Sequence, residues 1–398
     1  SGRIGFMIED GSSSGAIDVT AEFDYTPNDV NFKNLNTVNL TAPEDQGIDY
    51  FNSTLYTGNG TAIGSGGKAV TGVGFQPDWV WIKNRDAADD HALYDIARGV
   101  TKQWESNTNT TASTESEGLT TFGSDGFTVG NLAQVNTNTE DYVSWNWLAS
   151  NSTSTTSPAG TIASTSSVAS PGHFSVGTYT GNNTDNSTVG HGLGGIPEMI
   201  IVRNLNRGVY GLVWHTDGGG ATHTADFAVT ATFSANSAKF GGSDASNPTA
   251  NVFKIGTHVE INADTESFVF YAFRSIPGVC KVGSYIGNGS STAPPYVTLG
   301  FKPRWVMLKN ISVARDWVIF DTARTPTNTA EKFLFPNLNI AEAARGSASG
   351  SDYDIDILSD AFRPLTGDSA PNGNGNTIIY MAMAEIGGNG AQPPIYGV

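Results

Sequence analysis

Three groups of polar residues in this 398-residue chain carry side chains that could do chemistry. Asp86, Asp89 and Asp90 stand with His91 just after an apolar run, and clustered carboxylates are the hard oxygen donors that Ca2+ takes. The cluster lacks the glycine and closing glutamate of an EF-hand loop, so the residues favour a solvated acidic loop over a metal site. Asp95 and Asp321 form a second group, because both end an apolar-aromatic-Asp run, and a retaining glycosidase needs two carboxyls about 5 Å apart. Their matching contexts in separate stretches of chain read better as turn or hydrogen-bonding residues than as a catalytic pair. His215 and His223 with Asp217 and Asp226 are the third group. No His-x-x-x-His pattern frames them, and Gly218-Gly219-Gly220 reads as a loop.

What must position such residues follows from composition. Charged residues are 15 % of the chain and glycines number 47, a balance that suits many short strands joined by turns better than helices. Aromatic residues at 10 % carry too much apolar area for a solvated, disordered chain. A net charge of -17, from 21 basic and 38 acidic residues, disfavours a nucleic-acid partner, whose binding begins with Lys/Arg clusters, and none is expected. No apolar run approaches the roughly 20 residues of a spanning helix, so membrane insertion is not expected. The single cysteine, Cys280, lies between Val279 and Val282 and is expected to be a packed thiol, with no disulfide framework. The chain opens on Ser1, which reads as a processed or trimmed start, and no signal peptide is recognised there.

Internal similarity is the most informative pattern. The phrase Tyr56-Thr57-Gly58-Asn59-Gly60 returns as Tyr179-Thr180-Gly181-Asn182-Asn183 and as Tyr285-Ile286-Gly287-Asn288-Gly289. Some twenty residues on, Pro77 leads into Trp79-Val80-Trp81-Ile82-Lys83-Asn84, Pro197 into Met199-Ile200-Ile201-Val202-Arg203-Asn204, and Pro303 into Trp305-Val306-Met307-Leu308-Lys309-Asn310. Asp95, His215 and Asp321 close the next run, and Ile96-Ala97-Arg98 continues in parallel with Thr322-Ala323-Arg324. Each copy ends on a strong β run, at 142–147, 268–273 and 378–384.

Alternation sends Trp79, Trp81 and Lys83 to one side of their strand and Val80 and Ile82 to the other. With both faces apolar, the strand is expected to be central and covered twice, with the closing run beside it. The fold class expected is all-β: three tandem, jelly-roll-like β-sandwich modules behind a short N-terminal extension. The boundaries are an extension at 1–50, modules at 51–150, 173–276 and 277–398, and a Ser/Thr-rich linker at 151–172. Landmarks of the first copy are complete before Ser150, so that copy is expected to fold by itself, also when 151–172 is deleted. Residues 340–345, with Ala341, Ala343 and Ala344, are expected to form a helical turn.

Phe23-Asp24-Tyr25-Thr26-Pro27, Phe32-Lys33-Asn34-Leu35-Asn36-Thr37, the Tyr56 phrase and the Gly74-to-Lys83 run together resemble a family of tailed-bacteriophage virion proteins of tail-fibre or tailspike type. The resemblance covers about residues 20 to 149 well and the later copies more loosely. In that family the Tyr-Thr-Gly-Asn-Gly segment often follows a lectin-like sandwich, for which the stretch from Ser1 to Tyr25 is too short. The family carries no catalytic residues to transfer, so the resemblance implies a non-enzymatic virion protein on the tail or capsid exterior. Its implied partners are other virion proteins, further copies of itself as a homo-oligomer such as a trimer, and host-surface glycans. The other functions weighed are a capsid decoration or assembly protein and, less favoured, a polysaccharide depolymerase. No cofactor is expected beyond the weak Ca2+ reading. Exposed aromatics would suit sugar stacking, but the tryptophans sit in repeat strands and are expected in the core.

Overall fold

In the computed structural model, residues 47–346 and 353–385 are described. Of the expected N-terminal extension only Gly47–Tyr50, one helical turn, falls among them, so the Phe23 and Phe32 phrases lie outside the described residues. The fold is all-β and antiparallel, with short helical turns at Ala133–Asn136, Val259–Asn262 and Ser369–Asn372.

Three sheets share one strand order. The first runs Phe51–Thr57, Asp141–Trp147, Trp79–Asn84, Ala92–Asp95, and the third runs Cys280–Ile286, Thr377–Ala384, Pro303–Asn310, Val318–Asp321. The second has the same four in Phe174–Thr180, Ser267–Phe273, Met199–Asn204 and Leu212–His215, with two further strands on each edge. Register agrees as well: Phe51 pairs with Trp147, Phe174 with Phe273 and Cys280 with Met383. The Pro-led strand is central in each, as its two apolar faces require, and the closing run lies beside it.

The two faces of these sheets serve different cores. Val80, Ile82, Tyr94 and Tyr142 pack outward against Val70, Leu119, Phe127 and Val129 of a small second sheet. Equivalent outer cores lie over the second sheet, around Ile200, Val202 and Phe253, and over the third, around Val306, Leu308 and Phe362. The inner faces meet in one cluster that takes Trp79, Trp81, Trp145 and Trp147 from the first sheet, Phe174, Tyr271 and Phe273 from the second, and Trp305, Met307 and Met383 from the third. Trp79 stacks on Trp147 at 4.1 Å and lies 4.5 Å from Tyr271, while Trp147 meets Trp305 edge-on at 5.7 Å. The described residues accordingly form one compact unit, with the three sheets joined by burial of their inner faces.

Two local expectations change. The stretch 151–172, read as a linker, supplies the strands Ser154–Thr155 and Ser164–Val168, and the latter pairs with Phe174–Thr180 along five residues. Its composition hid this because the inward positions are hydroxyls: Ser167 is buried by donating to Asp78, and Thr156 and Ser166 are buried against each other. The helical turn expected at 340–345 is instead the strand Ala343–Ala344, paired with Lys332–Phe333. Tertiary contacts override alanine's helix preference here, since Ala343 is buried and Glu342 is held by ion pairs.

Candidate functional site

The repeated phrases account for themselves structurally. The hydroxyls of Tyr56, Tyr179 and Tyr285 donate to the carbonyls of Val135, Ile261 and Pro371. One residue further along each helical turn, the buried amide oxygens of Asn136, Asn262 and Asn372 accept from the backbone N–H of Asn59, Asn182 and Asn288 at 2.8, 2.9 and 2.9 Å. The glycines between are required by closeness: a Cβ on Gly58, Gly181 or Gly287 would stand 2.1, 2.2 or 2.4 Å from the carbonyl oxygen of Thr137, Ala263 or Gly373. Pro77, Pro197 and Pro303 are buried at the start of their strands, and Trp79, Trp81 and Trp305 lie in the inner core.

The acidic loop is dispersed among separate tasks. Asp86 accepts from the Asp141 backbone at 2.6 Å, Asp89 from the Asn84 amide at 2.7 Å and Asp90 from the Asn107 amide at 2.6 Å. Among the described residues no three His, Cys, Asp or Glu side chains are grouped to hold a metal ion. His91 is withdrawn altogether: its Nδ1 accepts from the Trp81 indole at 2.8 Å, so Nε2 carries the proton and donates to Phe335 O at 3.0 Å. Burial, helped by nearby Lys83, lowers its pKa to about 3.

Asp95 and Asp321 are both fully buried, each in an ion pair of 2.6 Å with the arginine three residues on, Arg98 or Arg324. Each also accepts a hydrogen bond from the neighbouring sheet. Tyr271 Oη donates to Asp95 at 2.6 Å, and Trp145 Nε1 donates to Asp321 at 3.0 Å. Tyr271 and Trp145 hold the same register position in their closing strands, where the third sheet has Met381, which has no proton to give. The position matching Asp95 in the second sheet is His215, which is buried. These carboxylates therefore join sheets and are spent on doing so. His223 and Asp226 add no convergent site, since Asp226 pairs with Lys239 at 3.2 Å and His215 Nδ1 accepts from the Asp217 backbone. Cys280 is buried beside the Arg274 carbonyl, and burial raises its pKa to about 12, so it is an inert thiol.

A groove of about 550 Å³ lies where the first sheet's Lys102–Gln103 and Ser113–Thr114 hairpin faces the second sheet's edge. Serine and threonine predominate among its lining residues, with Ser113 and Thr114 on one side and Thr165 and Thr178 on the other. Arg98 and Lys102 also line it, and Ala112 and Leu205 face it with short or apolar side chains. In the sequence Arg98 stands out only as a parallel to Arg324, and the rest of the groove does not, because its wall combines Thr155 and Thr165 of the 151–172 stretch with residues far along the chain such as Ser113 and Thr178.

The chain is thus a multi-sheet, all-β protein with one polar groove between sheets among the cavities just described. The family described as a domain of unknown function (DUF7483) matches residues 46–386, and the chain belongs to it. No curated protein matches the sequence, and no solved structure matches it.

Proposed function

We propose that the chain is a non-enzymatic bacteriophage virion structural protein, a tail fibre, spike or other peripheral appendage whose exterior contacts host-surface glycans. The observation that supports this best is the combination of a single stiff body with a hydroxyl-lined groove. Three sheets closed on one aromatic core resist deformation, which suits an exposed appendage, and hydroxyls paired with a cation suit a saccharide. The residue resemblance described above supplies the virion setting and, with it, other virion proteins and further copies of this chain as partners. A depolymerase is the weaker reading, since the two matching carboxylates that would serve it are each buried in an ion pair.

Averaged cryo-electron density of the particle that carries this chain tests the reading. Density on the tail or a projecting appendage is the expected result. Density tiled over the capsid would replace host contact with decoration or assembly.

A further inference from the structure

The three sheets meet at three junctions, and the same four positions can be followed through each. The hairpin registers fix the equivalence, with Lys102 opposite Thr114, Lys332 opposite Ala344 and His223 opposite Ala235. Ala112, Glu342 and Phe233 then each precede the second hairpin strand by one residue. Arg98, Arg324 and Gly218 each lie three residues past the matched Asp95, Asp321 and His215. Arg85, Leu205 and Ile311 each follow the asparagine that ends a central strand.

Where the third sheet meets the first, a carboxylate fills the junction. Glu342 takes two hydrogen bonds of 2.9 Å from Arg85, lies 3.4 Å from Arg324 Nη1 and 3.7 Å from Lys332. Burial alone would raise the Glu342 pKa, but these cations outweigh it and hold the carboxyl below its usual range. In the second sheet an aromatic ring takes the place: Phe233 lies over Gly218, where a Cβ would come within 2.7 Å of its ring, and Ile311 packs on the same inner core.

At the junction of the first and second sheets, neither solution is present. Arg98 repeats Arg324 in detail, its Nε on Asp95 and its Nη2 on the Leu93 carbonyl, as Arg324 is on Asp321 and Ile319. Yet Arg98 Nη1, in a side chain only 4 % exposed, has no partner, and Ala112 stands where the carboxylate would come from. Lys102 lies exposed at the rim, donating to Thr114 Oγ1 at 2.8 Å, and the space is the groove already described.

We infer that this groove binds a ligand carboxylate in the place that Glu342 occupies at the sister junction, with Arg98 Nη1 and Lys102 as its donors. A guanidinium nitrogen left buried without a partner is costly, and a carboxylate is the group that its twin receives. The surrounding hydroxyls of Ser113, Thr114, Thr165 and Thr178 specify the remainder of the ligand as polyhydroxylated, which makes it a sugar acid. The sugar half of this inference rests on the host-contact reading; the carboxylate half stands on the junction geometry.

Calorimetric titration of the full chain with sodium glucuronate, with glucose as the neutral control, tests it. Glucuronate is expected to bind and glucose to bind roughly tenfold more weakly or not at all, the size of one charge-assisted hydrogen bond. Ala112→Glu should weaken glucuronate binding by about tenfold or more while leaving the melting temperature unchanged or raised, because it supplies the missing carboxylate internally. Lys102→Glu, at an exposed position, gives the same loss without entering the core. Absence of glucuronate binding, equal binding of glucose, or affinity that survives both substitutions would overturn the inference. Particle density is read separately, so a capsid location would sink the host-contact reading without touching the titration.

Discussion

His91 is fully buried between the Trp81 indole and the Phe335 carbonyl, and it has company in His173, His191 and His215. Burial comes first among the causes in every case, lowering His91 and His173 to about 3 and His191 and His215 to about 4. In the unfolded chain each would titrate near 6.5, so between that value and the folded one the unfolded state binds more protons. Stability is therefore complete above about pH 6.5 and is lost as pH falls, by up to about 1.4 kcal/mol per pH unit for each histidine. Urea unfolding at pH 7, 6 and 5 should show midpoints that drop steeply below pH 6. His91→Gln, which can still accept from Trp81 and donate to Phe335, should flatten the slope by about one proton. A midpoint constant from pH 7 to pH 5 would refute the neutral, buried assignment.

At the scale of single elements, the Tyr-Thr-Gly-Asn segment is a strand end clamped to a helical turn. Tyrosine and asparagine make the clamp, and glycine permits the approach of the two backbones. Gly58→Ala, Gly181→Ala and Gly287→Ala are each expected to lower stability by about 1–3 kcal/mol, the cost of overpacking, with no change in secondary structure. Melting curves would show it, and wild-type midpoints would mean the backbones can part freely. Much of this level was legible in advance. The alternation of Trp79 and Trp81 against Val80 and Ile82 marked a strand with two buried faces, and the spacing of the phrases marked equivalent positions. What was hidden depends on partners far along the chain. Ser164–Val168 is a strand because Asp78 and the second sheet satisfy its hydroxyls, and Ala343–Ala344 is one because Glu342 is anchored to Arg85, 257 residues away. The groove was hidden for the same reason: Lys102 follows Arg98 by four positions while Lys332 follows Arg324 by eight, so the ionic cluster and its vacant counterpart do not align by eye.

The whole molecule departs most from what tandem copies suggest, because the inner face of each sheet is completed only by the other two. The first sheet turns Phe51, Trp79, Trp81, Trp145 and Trp147 inward, where they pack on Tyr271, Phe273 and Trp305. Polar links run through the same contacts, from the Trp104 indole to Tyr271, from Arg304 to the Ser53 carbonyl and from Lys309 to the Thr230 carbonyl. Cut away from its neighbours, residues 46–150 would keep a complete outer core and expose an aromatic face. With each such ring burying roughly 150–250 Å², that face exceeds the apolar patch of roughly 300–600 Å² that a soluble monomer carries. The fragment is expected to self-associate or precipitate and to melt without a sharp transition, although it holds every landmark of the first copy. Sedimentation velocity and thermal unfolding of residues 46–150, set beside residues 46–386, would decide. A monomeric fragment with a cooperative transition would mean that the outer core suffices and that the shared aromatic cluster only docks modules already folded. Aggregation of the fragment with cooperative unfolding of the longer chain would make the inner core the feature that turns three sheets into one folding unit.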